Sequence, residues 1–330
     1  MIWGLIGAST IAARHIIAAI RANGGEVAWV VSGNADHAAL YAGTHGIARH
    51  GTDLAALLAD KSVDAIYISS TNEKHHSQAM AAIAGGKHVL CEKPLAMTVD
   101  QARQMVTAAD TAGLILATNH HLRGAGSHQA IRDIVAAGRI GRVLSVRIHH
   151  AVQLPADLQG WRINDAAAGG GVIADICVHD ADTARFLLGE SPVNVVAQSV
   201  SSGMGNGVED SAMWVGSMPS GAQVMAHESF THPFAGSGIE VHGTVGSVFA
   251  NGVMSQNPAG TVDLVTAAGR ERIVYPGHDL YAYSVKRFIG ATRGKGTPAA
   301  TGADGVASLT IAMAVRQAAE TGNRVQIMGL

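Results

Sequence analysis

Cysteine is nearly absent: there are two in 330 residues, Cys91 and Cys177, far apart and without C-x-x-C spacing. Neither a disulfide framework nor a zinc ribbon is built from such a pair, and a reducing cytoplasm is the expected compartment. Charge is also sparse, at 15% of residues and a net charge of -2, with no long basic run. Nucleic acid and anionic membranes are therefore excluded as main partners, and a small polar substrate is favoured. No apolar run reaches membrane-spanning length, and β-rich sequence begins at Ile2, leaving no room for a basic leader and cleavage site. Neither export nor a membrane segment is expected. Internal repeats and low-complexity linkers are missing as well.

What is present is a globular composition, 48% hydrophobic over a length that suits two domains at roughly 100 to 200 residues each. Histidine is abundant at 17, with adjacent pairs at His75-His76, His120-His121 and His149-His150. Neighbouring side chains diverge in both strands and helices, so these pairs do not jointly grip one ion. No metal site is expected.

The first third alternates apolar strands with helical patterns. Strands are predicted over "IWGLIGAS", residues 26 to 32, 63 to 70, 88 to 93 and 115 to 121, and helices over 12 to 22, "TDLAALLAD", "HHSQAMAAIAGG" and "TVDQARQMVTAADTAG". Such alternation predicts right-handed crossovers and a doubly wound parallel sheet, an α/β Rossmann domain over residues 1–121. After residue 121 the period changes. A helix at 126 to 141 leads into long alternating runs, one broken at "PSG" as a hairpin is, and two helices near 280 to 293 and 302 to 321 end the pattern. A second α+β domain on a mostly antiparallel open sheet is predicted over residues 122–330. Its open face would be solvated or shared, so a monomer and a dimer both stay open.

The stretch "GLIGASTIA", residues 4 to 12, half-spells a dinucleotide fingerprint. Gly7 holds the turn position and Ala12 the packing position, whereas Ser9 stands where a second glycine lets the backbone approach the pyrophosphate. Ser9 moves a phosphate slightly outward while offering it a hydroxyl beside a helix N-terminus. In an open parallel sheet, ligands bind beyond the carboxyl ends of the strands. Those ends carry Ser9-Thr10, Ser32-Gly33, Ser70-Thr71-Asn72, Glu92-Lys93-Pro94 and Asn119-His120. Polar turns explain most of these, but Lys93 leaves an apolar strand directly before a proline that holds it extended.

A second cluster is "AGGGVIADICVHDADTARFLLG", residues 168 to 189. Read as one helix, it places Asp175, His179 and Asp182 on one face. Either this is a solvated pair on an amphipathic helix or a carboxylate orienting an imidazole for proton transfer. Asp180 falls on the apolar side, where a buried hydrogen bond is its reading. Upstream, "GWRINDAAAGGG" puts Trp161 and Arg162 in a glycine-rich loop, as a flat apolar surface and a phosphate donor or as interface packing.

Together, "GLIGAS.IA", "TN..H", "EKP", "WR", "GGGV..D...HD", "VHGTVGS" and "GADGVASL" resemble the glucose-fructose oxidoreductase / inositol dehydrogenase / rhizopine-catabolism (Gfo/Idh/MocA) family along the whole chain. The resemblance implies a nicotinamide-dependent sugar oxidoreductase, and within it a reductase of a cyclic keto sugar using NADP(H). It implies Lys93 as the catalytic lysine, His179 as proton donor and Asp175 as its acidic partner. Ala8, Ser9, Thr10, Ile11, Ser70, Thr71, Asn72, His75, Glu92, Asn119, Trp161, Arg162 and Tyr281 fall where the family lines its cofactor. After the second strand the chain has Ser32 and Gly33 with no acid, which favours NADP, and His37 in place of the usual arginine. Other sugar or inositol dehydrogenases, and a sugar-sensing regulator on the same fold, are the alternatives.

Overall fold

Six short strands, apolar and buried at most positions, pair side by side in one direction because the segments between them carry the chain back over the sheet. The computed structural model describes residues 1–329, and in it the strands are β1 (Ile2–Ile6), β2 (Glu26–Val31), β3 (Arg49–Gly51), β4 (Ala65–Ile68), β5 (His88–Cys91) and β6 (Leu116–Thr118). Their order is β3-β2-β1-β4-β5-β6, all parallel, so the order reverses between β1 and β4. This is the Rossmann arrangement, whose crevice lies at that reversal. A π turn at Ala12–Ile16 runs into α1 (Ile17–Ala22), and α2 (Ala35–His45), α3 (Leu54–Ala59), α4 (His75–Ala84) and α5 (Val99–Thr111) follow. Asn34, Asp53 and Thr98 cap α2, α3 and α5 by accepting a first-turn backbone N–H.

The remaining helices are α6 (Gly126–Ala136), α7 (Ala156–Asn164), α8 (Val178–Leu188), α9 (Leu280–Thr292) and α10 (Gly302–Thr321). A second π turn, Ile173–Cys177, leads directly into α8. The second sheet contains β7 (Val143–Ala151), β8 (Asn194–Val200), β9 (Ser211–Ser217), β10 (Gln223–Ser229), β11 (Ser237–Gly243), β12 (Gly246–Asn251), β13 (Thr261–Thr266), β14 (Gly269–Ile273) and β15 (Val325–Gln326). Its order is β14-β13-β12-β11-β7-β10-β9-β8-β15, and only β7 with β10 is a parallel pair. The predicted hairpin is present, with Met218 N–H donating to Ala222 O at 2.8 Å between β9 and β10. Along β9 and β10, buried residues alternate with exposed ones such as Met213, Val215 and Met225, so one face is covered and the other open. Helix α8 packs on α6 and β7 on the covered side.

The chain forms two compact units, Met1–His121 with Tyr281–Val306, and Leu122–Leu280 with Ala307–Leu330. The change of period at residue 121 thus falls at a real boundary, but a second domain running unbroken over 122–330 does not describe the molecule. Residues 281–306 return to the first unit because they complete its core: Phe288 packs on Trp3 with ring centroids 5.1 Å apart, and Thr118 N–H donates to Ala300 O at 3.2 Å. Helix α2 and strands β3, β13 and β14 were not legible. Helix α2 buries only Ala38, Tyr41 and Ala42, and β3 is a three-residue edge. Among the described residues no helix is long and apolar enough to cross a membrane, and no group of three His, Cys, Asp or Glu is arranged to hold a metal.

Candidate active site

In the first unit the fingerprint turn is built as its glycine requires. Gly7 has φ +107°, and a Cβ there would stand 2.9 Å from the Ser69 and Ser70 backbone at the end of β4. Only glycine lets β1 and β4 close together at the crevice. The Ser9 hydroxyl does not stand outward as a ready phosphate donor. It lies 2.7 Å from Ser69 Oγ and accepts the Ala12 N–H at 3.2 Å, so it caps the helix. Thr10 and Ile11 open the helical turn that follows, where backbone N–H groups have no partner within the helix.

At the end of β2, Ser32 Oγ lies 3.4 Å from His37 Nδ1, and open space surrounds Gly33. The two residues singled out for the ribose end are therefore brought together, with Asp36 beside them in the first turn of α2. At β4 and β5, Ser70 Oγ donates to Gln78 Oε1 at 2.6 Å, and Thr71 and Asn72 follow it into a short 3-10 turn. Lys93 is half-buried just past the end of β5, and its bond to Pro94 is cis.

Two predicted cofactor residues are placed differently. His75 is fully buried, its Nδ1 2.8 Å from Pro94 O and its Nε2 3.2 Å from Ser70 O. Burial lowers its pKa against the pull of those two carbonyls, which can only accept from the ring. It braces the loop that carries Lys93. Tyr281, also fully buried, is stacked between His15 and His121 at 4.4 and 4.9 Å. Glu92 is held at Oε1 by the hydroxyl of Tyr67 and by Asn119 Nδ2 at 2.6 Å. Tyr67 and Ser69, missed in the sequence, belong to this framework. A tyrosine in an otherwise aliphatic buried strand signals a hydroxyl that needs a partner.

In the second unit the cluster at 168 to 189 is not one regular helix. The π turn at Ile173–Cys177 adds a residue to its ring and shifts Asp175 against the residues of α8. Asp175 pairs with Arg162, Nε to Oδ1 at 3.5 Å, and the Arg162 guanidinium lies over the Trp161 ring at 4.7 Å. Trp161 and Arg162 sit in the last turn of α7, directly after Gly160, whose φ of +33° breaks the helix. The loop after them is tight: Gly171, at φ +104°, would drive a Cβ to 2.4 Å from Glu209 Oε1, the oxygen that accepts the Ile173 N–H.

The solvated-face reading of this helix is overturned. His179 is 6% exposed and Asp182 is 2% exposed, so both are buried. Asp182 takes a two-pronged bond from Arg123, Nε at 2.8 Å and Nη2 at 2.7 Å, and is spoken for structurally. His179 lies in α8 with the His150 ring 6.4 Å away. The wheel did place Asp180 correctly, since it is fully buried and accepts from His150 Nδ1 at 3.0 Å.

Residues 1–120 match the family described as an oxidoreductase family with an NAD-binding Rossmann fold, and residues 128–249 match the GFO/IDH/MocA C-terminal domain. The chain is 52% identical over 326 residues to a 1,5-anhydro-D-fructose reductase of Ensifer adhaerens, covering 98% of each. It is 30% identical to a D-xylose 1-dehydrogenase (NADP(+)) of Haloferax volcanii, covering 99% of this chain and 100% of that one. Among solved structures, an aldose-aldose oxidoreductase from Caulobacter crescentus complexed with glycerol superimposes with a TM-score of 0.91 at 25% identity, covering 99% of both chains.

Proposed function

The chain belongs to the GFO/IDH/MocA family of sugar oxidoreductases, and from that premise we propose that it reduces 1,5-anhydro-D-fructose to 1,5-anhydro-D-mannitol with NADPH. The observation that carries this reading is the 52% identity to a 1,5-anhydro-D-fructose reductase along essentially the whole of both chains. Ser32 in place of an acid at the end of β2 supports NADPH, because a carboxylate at that position would repel a 2'-phosphate. The first unit's Gly7 turn, the first N–H groups of its helix, Ser70, Thr71, Asn72, Glu92 and Asn119 would hold the dinucleotide. When bound, the nicotinamide supplies hydride.

The protein's own side chains then manage the oxygen. A carbonyl that accepts hydride develops alkoxide charge, and Lys93 would hydrogen-bond that oxygen while His179 gives it a proton. Asp175, held by Arg162, supplies the negative charge that favours a protonated imidazole nearby. Glu92, fixed by Tyr67 and Asn119, keeps the loop bearing Lys93 in place. A cytoplasmic site of action agrees with the two thiols, both free and buried.

The test is NADPH and NADH oxidation by the purified protein against 1,5-anhydro-D-fructose, other keto sugars, aldoses and inositols. Turnover with NADPH and 1,5-anhydro-D-fructose is expected to exceed every other pair. Preferred oxidation of an inositol or aldose would overturn the substrate, and no turnover with any of them would favour a sensing role.

A further inference from the structure

Beside His179 the second unit buries two carboxyl groups against each other. Asp180 follows His179 in α8 and Glu228 lies near the end of β10, and neither has any exposed surface. Val224, Ala226 and Glu228 share the covered face of β10, as Val146, Ile148 and His150 share that of β7. The parallel register sets Glu228 opposite His150. Glu228 Oε1 accepts from Trp214 Nε1 at 2.8 Å, and Asp180 Oδ1 accepts from His150 Nδ1 at 3.0 Å. The two remaining oxygens, Asp180 Oδ2 and Glu228 Oε2, are buried and receive no donor from a neighbouring group. Both carboxyls therefore border His150, Asp180 bonded to its ring and Glu228 opposite it in register, and each perturbs the ionisation of the other.

Two ionised carboxylates in this position would leave both oxygens unpaired and facing like charge, at a cost a protein interior does not tolerate. A single proton between them satisfies both oxygens, one as donor and one as acceptor. Burial pushes both groups well above the usual carboxylate range, and the neighbouring Asp180 raises Glu228 further.

We propose that Asp180 and Glu228 share one proton, forming a carboxylic acid–carboxylate pair of single negative charge, and that this pair positions His150 beside His179. The second clause rests on the reading of His179 as proton donor. Other titratable groups at the pair do not supply its charge. His128 on α6 is held neutral by burial and by nearby His150, its pKa down to about 3, and burial pushes the Cys177 thiol up. Asp182 is committed to Arg123. The pair therefore fixes Nδ1 of His150 as the proton-bearing atom and sets one negative charge a single imidazole away from His179.

Glu228→Gln tests the proton. Its amide would donate to Asp180 while its oxygen accepts from Trp214, which leaves shape and charge intact. A carboxyl with a raised folded pKa keeps its proton where the unfolded chain has lost it, so the wild type loses stability as pH rises from about 4 to that folded pKa. The Tm of Glu228→Gln relative to wild type is therefore expected to climb steadily between about pH 5 and 8. A pH-independent difference would overturn the shared proton. If the variant does not fold, infrared spectra of the wild type decide: the carbonyl stretch of a protonated carboxylic acid should persist at neutral pH, and its absence rejects the pair. Asp180→Asn tests the positioning. It moves the charge away from His150, so the alkaline limb of kcat for sugar reduction should shift to lower pH by ~0.5 to 1 unit. An unmoved limb would reject the positioning role. The Tm series and the infrared band need no turnover, so they decide the shared proton even if the sugar reductase reading fails.

Discussion

The two units assemble polar groups in opposite ways. In the first, polar residues gather at the carboxyl ends of parallel strands, where each strand contributes two or three consecutive residues and the sheet's order brings them together. In the second, His179, Asp180, Asp182, His150 and Glu228 are drawn from one helix and two strands into a mostly buried layer between helix and sheet. The end of β2 tolerates substitution because His37 is exposed and Ser32 partly so, and solvent completes whatever a side chain leaves unpaired there. A buried layer does not, so changes there cost rate or stability while changes at Ser32 and His37 alter preference.

The sharpest way to break this contrast is His179→Ala. It should lower kcat by ~10² to 10⁴-fold while leaving NADPH affinity, measured by fluorescence titration, nearly unchanged. Lys93→Ala should lose both rate and sugar affinity. Near-wild-type kcat in His179→Ala would make the helix structural and return the acid role to Lys93. Arg123→Ala removes the two-pronged bond to buried Asp182, whose second cation, Arg185, stands 3.9 Å away, and should cost ~3 to 5 kcal/mol in denaturant unfolding.

Asp210 gives the pH-dependent case. Although burial raises its pKa, the N–H groups of Gly205, Ser202 and Met204 and the Ser202 hydroxyl hold it down to about 2. A depressed carboxylate contributes stability above its unfolded pKa and loses it as pH falls through the folded one. Asp210→Asn should therefore be ~1 to 3 kcal/mol less stable at neutral pH, with the deficit shrinking below about pH 4 and gone near pH 2. A deficit unchanged down to pH 3 would show that the carboxylate's charge is not what holds the 202 to 205 turn.

Smaller effects belong to the strand ends of the first unit. Ser32→Asp should repel a 2'-phosphate and shift the NADPH to NADH ratio of kcat/KM toward NADH by ~1 to 3 kcal/mol. An unchanged ratio would place the ribose elsewhere. His37→Arg should strengthen the NADPH preference by ~0.5 to 1 kcal/mol, since a guanidinium meets a phosphate with two parallel bonds.

Legibility followed the same division. The parallel sheet, the Gly7 turn and the residues at each strand end could be read because they depend on local period and on consecutive residues. The helix wheel for 168 to 189 is interrupted at Asp175, since the π turn there changes the angle between residues and no residue type announces such a turn. Glu228 left a usable signal: it sits on the apolar parity of its strand, after Val224 and Ala226, where a carboxyl must have a buried partner. His150, on the parity of Val146 and Ile148, carried the same signal. What those partners were could not be read, because they lie 30 and 78 positions from one another along the chain.

By itself the sequence determined five of the six strands of the first sheet, that this sheet is parallel, and that serine, lysine, glutamate and asparagine would stand at the carboxyl ends of its strands. Those outcomes follow from periodicity and chain direction, which each segment carries within itself. The tertiary structure alone decided that residues 281–306 complete the first unit's core, that Asp182 belongs to Arg123, and that Asp180 and Glu228 converge on His150. Burial removes water as the alternative partner for a polar group, and which group replaces water depends on how distant segments pack.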